Sequence, residues 1–192
     1  MNNPGKQYMR REYLRVRREL EPEFRRMADA AINAALAKLP EVIRAERIGV
    51  YLSDGFEVDL AEFLAWCLKD GKEVYVPRSR ANDGAEYEMV EIRDSSRELV
   101  QGKYGLMEPS REVPATPAVA RSGMTWLVPG VAFDRFGCRL GRGKGIYDRL
   151  LQGETGPKIG VFYSIQECRE LPKDSHDVPL DMAVTELEVI RY

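Results

Sequence analysis

The stretch Val128-Pro129-Gly130-Val131-Ala132-Phe133-Asp134-Arg135-Phe136-Gly137-Cys138-Arg139-Leu140-Gly141-Arg142-Gly143-Lys144-Gly145-Ile146-Tyr147-Asp148 decides the fold. It follows Thr125-Trp126-Leu127, an apolar run closed by Pro129-Gly130, which predicts a strand over 125–130. It leads into a predicted helix from Lys144 to Leu151. Between the two, Gly141, Gly143 and Gly145 alternate with Arg142 and Lys144. Glycines let backbone N–H groups approach an anion closely, and a helix N-terminus adds partial positive charge. Arg139, Arg142 and Lys144 add full charges. In open α/β sheets, ligands bind beyond the carboxyl ends of the strands. Strand, basic glycine loop and helix in that order suit a triphosphate. Neither common nucleotide motif is present. A Walker loop needs its first glycine one position after Gly137, and Gly145 stands where Ser or Thr is required. The spacing GxGxG also differs from the dinucleotide GxGxxG. A ligand-free surface turn remains the alternative that this pattern alone leaves open.

Working outward, Arg47 to Ser53 predicts a strand, Val58 to Lys69 a helix closed by Gly71, and Val74 to Val76 a strand ending at Pro77. That order makes a βαβ unit. Residues 6–20 predict a helix. Met9, Tyr13, Val16 and Leu20 form its apolar stripe, with Lys6, Arg10 and Arg17 about 60° round. Such a basic stripe is also what a solvated helix face looks like. Pro22 starts a second helix running to about Leu39, with Ala28, Ile32, Ala35 and Leu36 on its buried face. Residues 86–92 alternate as an edge strand, 101–117 predict a loop, and Lys158–Tyr163 and Val184–Ile190 predict late strands. The predicted fold class is α/β, a three-layer sandwich with a mainly parallel Rossmann-like sheet and helices on both faces. One domain is expected over residues 1–192.

Hydrophobic residues make up 44% and charged residues 31% of the chain, enough to bury a core. The net charge of -2 argues against a nucleic-acid partner. Residues 1–26 nevertheless carry eight basic and four acidic side chains, a local bias that fits a small anionic ligand. Three cysteines without a CxxC pair, and one histidine, are too few nitrogen and sulfur ligands for a zinc site. Cys67 lies in an apolar run and is expected in the core. With no signal-like N-terminus and no run approaching roughly 18 apolar residues, a cytoplasmic protein without a membrane partner is expected. A monomer is the working expectation.

The segment PGVAFDRFGCRLGRGKGIYD, residues 129–148, resembles the signature PGxxFDxxGxRLGxGKGYYD of the 5-formyltetrahydrofolate cyclo-ligase family. The likeness extends to Lys6-x-x-x-Arg10, to Tyr51-Leu52-Ser53 with Glu57-Val58, to Gly71-Lys72 with Val76-Pro77, to Gly105-Leu106-Met107-Glu108-Pro109, and to Leu171-Pro172 with His176-Asp177 and Asp181. One position departs. Ile146 stands where the family has a tyrosine, which keeps an apolar wall and loses a stacking face and a hydroxyl.

The resemblance implies an ATP- and Mg²⁺-dependent ligase. It would cyclise 5-formyltetrahydrofolate to 5,10-methenyltetrahydrofolate and release ADP and phosphate. It implies catalytic roles for Arg10 and Lys144. ATP would be held by Lys6, Arg10, Arg139, Gly141, Arg142, Gly143, Lys144, Gly145 and Tyr147. The reduced folate would be held by Leu52, Glu57, Ile146 and Tyr147, and magnesium by Asp148 and Asp181. Such chemistry needs charge neutralisation on a triphosphate more than a protein nucleophile. Beside each role stands a plain one: core packing for Leu52 and Tyr147, a dipole-favoured first-turn aspartate for Asp148. An ATP-dependent relative with another substrate, or a noncatalytic folate or nucleotide binder, are the alternatives.

Overall fold

The computed structural model describes residues 4–80, 86–102, 107–117 and 122–192. Helices α1 (Pro4–Arg18), α2 (Pro22–Leu36) and the short α3 (Pro40–Ile43) precede strand β1 (Arg47–Gly49). Then come α4 (Ala61–Lys69), β2 (Glu73–Ser79), β3 (Tyr87–Ile92), α5 (Ser95–Glu98), β4 (Leu99–Gln101) and β5 (Met107–Pro109). The chain continues with β6 (Thr125–Val128), β7 (Ala132–Phe133), β8 (Arg139–Leu140), α6 (Ile146–Leu151), β9 (Lys158–Val161), β10 (Met182–Val184) and β11 (Val189–Arg191).

Among the described residues, the main sheet has seven strands in the order β11-β10-β9-β6-β1-β2-β3. The pairings from β10 through β2 are parallel, and the outer strands β11 and β3 are antiparallel. The α/β class expected from sequence is therefore present. From β1 the chain moves to β2 on one side and later to β6 on the other. The carboxyl ends of β1 and β6 thus flank the switch point of the sheet, where a crevice forms.

Side chains alternate between the two faces, as strand geometry requires. Ile48, Val74, Leu127, Ile159 and Met182 meet Ile32 and Leu36 of α2 and Phe63 and Cys67 of α4. Tyr75, Trp126, Val128 and Ala183 face the other side, with Phe162, Leu180 and Leu151 of α6. Gly160 makes room there, because a Cβ would lie 2.3 Å from the Phe162 ring. Removing most of a fully buried side chain such as Ile48 by substitution with Ala would cost about 3 kcal/mol.

Several element bounds differ from expectation, for physical reasons. Helix α2 stops at Leu36, because Pro40 holds Leu39 extended and begins a new turn. Helix α4 starts at Ala61; buried Asn33 accepts the Phe63 amide at 3.0 Å and donates to the Asp59 carbonyl at 2.8 Å. Strand β2 runs through Pro77 to Ser79, since beyond Tyr75 it pairs only with β3 and needs no donor toward β1. The predicted loop 101–117 contains β5, which pairs with β4; residues 103–106 of that stretch lie outside the described residues. The late strand over 184–190 is instead the β10–β11 hairpin. Thr185 Oγ1 builds its turn by accepting the amides of Leu187 and Glu188 at 3.2 and 3.1 Å.

Candidate active site

The carboxyl edge at the switch point opens into a cleft of about 1280 Å³. Its walls come from the loops after β1, β6 and β8, from the end of β2, from the start of α6, from α1 and from residues 174–179. That volume exceeds an ordinary single-ligand pocket and leaves room for two ligands side by side.

The glycine-rich loop is set by a hairpin that periodicity did not reveal. Buried Asp134 accepts the amides of Phe136 and Cys138 on Oδ1 at 2.9 and 3.0 Å, and the Leu171 amide on Oδ2 at 2.9 Å. This closes the β7–β8 turn, and β8 delivers Arg139, Leu140 and Gly141 to the cleft. Gly143 and Gly145 have φ of 96° and 61°, which side chains rarely adopt. A Cβ at Gly143 would sit in ordinary contact with the Arg10 guanidinium at 3.4 Å, so the backbone conformation is what calls for glycine. Helix α6 begins at Ile146, so Lys144 and Gly145 belong to the loop, and the helix is only six residues long. Side-chain cations and loop amides, more than a helix dipole, make this wall positive.

Helix α1 supplies the facing wall. Its buried residues are Lys6 and Arg17, members of the basic stripe, while Met9 and Tyr13 pack half-buried against Leu140 and Leu171. Arg10 Nε donates to the Gly141 carbonyl at 2.8 Å and so anchors the loop. Lys6 Nζ is clasped by Asp174 at 2.8 Å and Asp177 at 2.6 Å. Burial alone would lower its pKa, but the two hydrogen-bonded carboxylates carry it upward. With His176, those aspartates are spaced like metal ligands, their ligand atoms within 4.8 Å. Lys6 already fills that position with its own charge.

Arg139 is the most enclosed of the loop cations. Its side chain is 3% exposed, it pairs with Asp148 Oδ1 at 2.7 Å, and it lies over the Tyr147 ring at 5.8 Å. Burial lowers its pKa and the Asp148 charge opposes that. Its Nε is buried with no hydrogen-bond partner among the described residues. An orphaned guanidinium N–H beside a basic loop fits an anionic ligand that supplies the missing acceptor.

The loop after β1 forms the third wall, with Tyr51, Leu52, Asp54 and Glu57. Ile146 and Tyr147 close it from α6, and Met107 and Glu108 from β5. Glu57 is nearly enclosed. Burial lifts its carboxyl to a pKa of about 7, against the pull of Arg17, 3.8 Å away. Burial also drives the Tyr51 and Tyr147 hydroxyls well above their ordinary range.

All but one of the sequence-predicted site residues line this cleft: Lys6, Arg10, Leu52, Glu57, Arg139, Gly141, Arg142, Gly143, Lys144, Gly145, Ile146, Tyr147 and Asp148. The exception is Asp181. It is exposed, and it exchanges hydrogen bonds with Lys158 at the amino end of β9, at 2.8 and 2.9 Å. Because β9 and β10 are parallel, that end is the far edge of the sheet, and the structure does not bring Asp181 to Asp148. Sequence reasoning gave no role to Asp54, Arg17, Asp174 or Asp177. The Ser53-Asp54-Gly55 turn and the Asp-rich stretch 174–177 were the available signals.

Fold and site together define an α/β protein with a basic glycine loop at the switch point of a parallel sheet, facing a half-apolar wall that carries two half-buried carboxyl groups, Asp54 and Glu57. The chain belongs to the 5-formyltetrahydrofolate cyclo-ligase family, whose model matches residues 2–186. It is 30% identical to the 5-formyltetrahydrofolate cyclo-ligase of Escherichia coli strain K12, over 90% of this chain and 96% of that one. It is 29% identical to the enzyme of the same name from Saccharomyces cerevisiae, over 93% and 94%. Its fold is similar to the Aquifex aeolicus 5,10-methenyltetrahydrofolate synthetase, with a TM-score of 0.83 and 36% identity, over 97% of this chain and 92% of that one.

Proposed function

We propose that this chain closes a ring on 5-formyltetrahydrofolate to give 5,10-methenyltetrahydrofolate, with ATP as cosubstrate and Mg²⁺ as metal. The observation that carries the proposal is the meeting, in one cleft, of the basic glycine loop and the wall of Leu52, Glu57, Ile146 and Tyr147. The formyl oxygen attacks the γ-phosphorus of ATP and ADP leaves. N10 then attacks the activated carbon, and phosphate leaves as the ring closes.

The chain's part is positioning and charge. Arg139, Arg142, Lys144 and the amides of Gly141, Gly143 and Gly145 take the triphosphate, and the orphaned Arg139 Nε gains its acceptor. Arg10 holds the loop closed and presents the rest of its guanidinium to the transferred group. Lys6 reaches the phosphates once they compete with Asp174 and Asp177 for its ammonium. Tyr147 supports Arg139 from below its plane. Glu57, when ionised, accepts the paired N–H donors of the pterin edge, while Leu52 and Ile146 exclude water.

Asp148 fits a magnesium site. It spends Oδ1 on Arg139 and, at 3.4 Å, the Val178 amide, and its second oxygen carries no such bond among the described residues. Magnesium held by Asp148 would neutralise charge on the triphosphate, a role that needs few protein carboxylates. The proposal leaves Asp181 out of the metal set, because it bonds Lys158 at the amino end of β9. The proposal takes residues 1–192 as one domain, acting as a monomer in the cytoplasm. No helix among the described residues is long and apolar enough to cross a membrane.

The test is absorbance of the methenyl product. Purified chain is mixed with 5-formyltetrahydrofolate, ATP and Mg²⁺, with controls lacking each. Product that depends on both ATP and Mg²⁺ is expected. Folded, ATP-binding protein that yields none would overturn the proposal.

A further inference from the structure

Two loops that the proposed function assigns to different ligands are tied together by one side chain. Asp54 follows β1 and accepts the amides of Phe56 and Glu57 on Oδ1, at 2.9 and 2.8 Å. That oxygen shapes the turn that carries Glu57. Its Oδ2 pairs with Arg142 of the glycine-rich loop and with Arg17 at 3.4 Å. Arg142 also lies 3.5 Å from Glu57 Oε1. The nucleotide wall and the folate wall are thus clasped to each other across the cleft.

The clasp is built to be exchanged. Two carboxylates, Asp54 and Glu57, face two guanidiniums, Arg17 and Arg142. Arg17 is 1% exposed and fixed to the Gly130 carbonyl at 3.2 Å, so it stays. Arg142 is 47% exposed on a glycine-rich loop, so it can turn. Partial burial, then repulsion from Arg17 and Arg18, already weigh against its charge where it sits. A triphosphate in the loop offers it a stronger, bidentate partner. Once Arg142 turns away, Arg17 alone faces both carboxylates, and one of them is uncovered for the N–H donors of a pterin. Conversely, donors seated on Glu57 loosen the hold on Arg142.

We propose that Asp54 is a positioning residue that couples the two ligand sites, holding Arg142 against the folate wall in the free enzyme so that each ligand favours binding of the other. This rests on the proposed function for the identity of the two ligands. Such coupling is reciprocal by thermodynamic necessity.

Asp54→Asn keeps an oxygen for the turn and removes the charge that holds Arg142. The dissociation constant of 5-formyltetrahydrofolate would be measured by calorimetry with Mg²⁺, with and without a saturating imido analogue of ATP that cannot transfer its terminal phosphate. The analogue is expected to tighten folate about five- to tenfold in the unsubstituted chain and less than about twofold in Asp54→Asn. Arg142→Gln, at the half-exposed end of the pair, should abolish the same ratio and serves if Asp54→Asn fails to fold. A purely structural role for Asp54 would lower the thermal midpoint and weaken folate equally with and without the analogue, leaving the ratio intact. An unchanged ratio in both variants overturns the role of Asp54. A ratio near one in an unsubstituted chain that makes product overturns the coupling and leaves the function standing. If the chain binds both ligands yet makes no product, the function falls and the ratio alone decides the coupling.

Discussion

The two edges of the parallel sheet use charge in opposite ways. At the amino edge, Arg47 meets Glu73 at 2.9 Å, Arg191 meets Glu41 at 2.6 Å, and Asp181 accepts the Lys158 amide. These groups are solvated, and such pairs contribute about 0–1 kcal/mol each. At the carboxyl edge, Lys6, Arg17 and Arg139 are buried and face Asp174, Asp177, Asp54, Glu57 and Asp148. Burying charges in pairs stabilises a fold little, because desolvation offsets attraction. The expense is understandable where a charged ligand is to exchange for one partner. The contrast implies that substitutions at one edge change turnover and those at the other leave it alone.

The largest effect is expected at Lys144, which is exposed in the loop. Lys144→Ala should lower ATP-dependent kcat about a hundredfold or more, as loss of one charge-stabilising donor does, with the thermal midpoint unchanged. Turnover like that of the unsubstituted chain would remove this lysine from the mechanism. Asp148→Asn comes next. It should raise the Mg²⁺ concentration needed for half-maximal rate by at least roughly tenfold, read from magnesium titrations of the product assay. It also leaves the buried Arg139 charge without its counter-charge, so the midpoint should fall as well.

Glu57 gives a pH-dependent effect of intermediate size. Its folded pKa of about 7 lies above its ordinary value of 4.5 because burial disfavours the carboxylate. Between those values the folded chain holds a proton that the unfolded chain releases. This group's contribution to stability therefore falls as pH rises through that window and is level above it. Folate binding needs the ionised form, so KM for folate should rise about tenfold from pH 8 to pH 6. In Glu57→Gln, KM should be high and flat across that range. A Gln variant that keeps the slope would place the titration elsewhere.

Much of the fold could be read directly from the chain, and the misses share a cause. Thr125–Val128 is an apolar run bounded by Pro129-Gly130 and could be read as a strand; the structure buries it at every position. Gly71, with φ of 79°, closed α4 as its position suggested. The β7–β8 hairpin has two residues per strand, too short for any periodicity. Its organiser, Asp134, acts through backbone amides that no pattern of side chains displays. Within the site, the glycine loop is contiguous and could be found as a block. Burial of Lys6 and Arg17 could not, because a basic stripe at helical spacing looks the same in solvent and in a cleft. Their partners Asp174, Asp177 and Asp54 lie 168, 171 and 37 positions away along the chain.

Asp181 is the sharpest test of the contrast between edges, because its expected effect is the smallest. Its pairing with Asp148 follows from the family resemblance alone, and the single strand predicted over 184–190 leaves its edge of the sheet undefined. The turn of the β10–β11 hairpin has no glycine, proline or asparagine to mark it; Thr185 makes it through its hydroxyl. Once β10 is seen to start at Met182 and to run parallel to β9, Asp181 must lie at the amino edge beside Lys158. Asp181→Ala should therefore leave kcat, KM for both substrates and the magnesium requirement within about twofold, and cost at most about 1 kcal/mol through the lost bond to the exposed Lys158 amide. A tenfold rise in magnesium requirement would mean that the two edges are not separate in function. The route would be residues 178–181, since the Val178 amide reaches Asp148 Oδ1 at 3.4 Å.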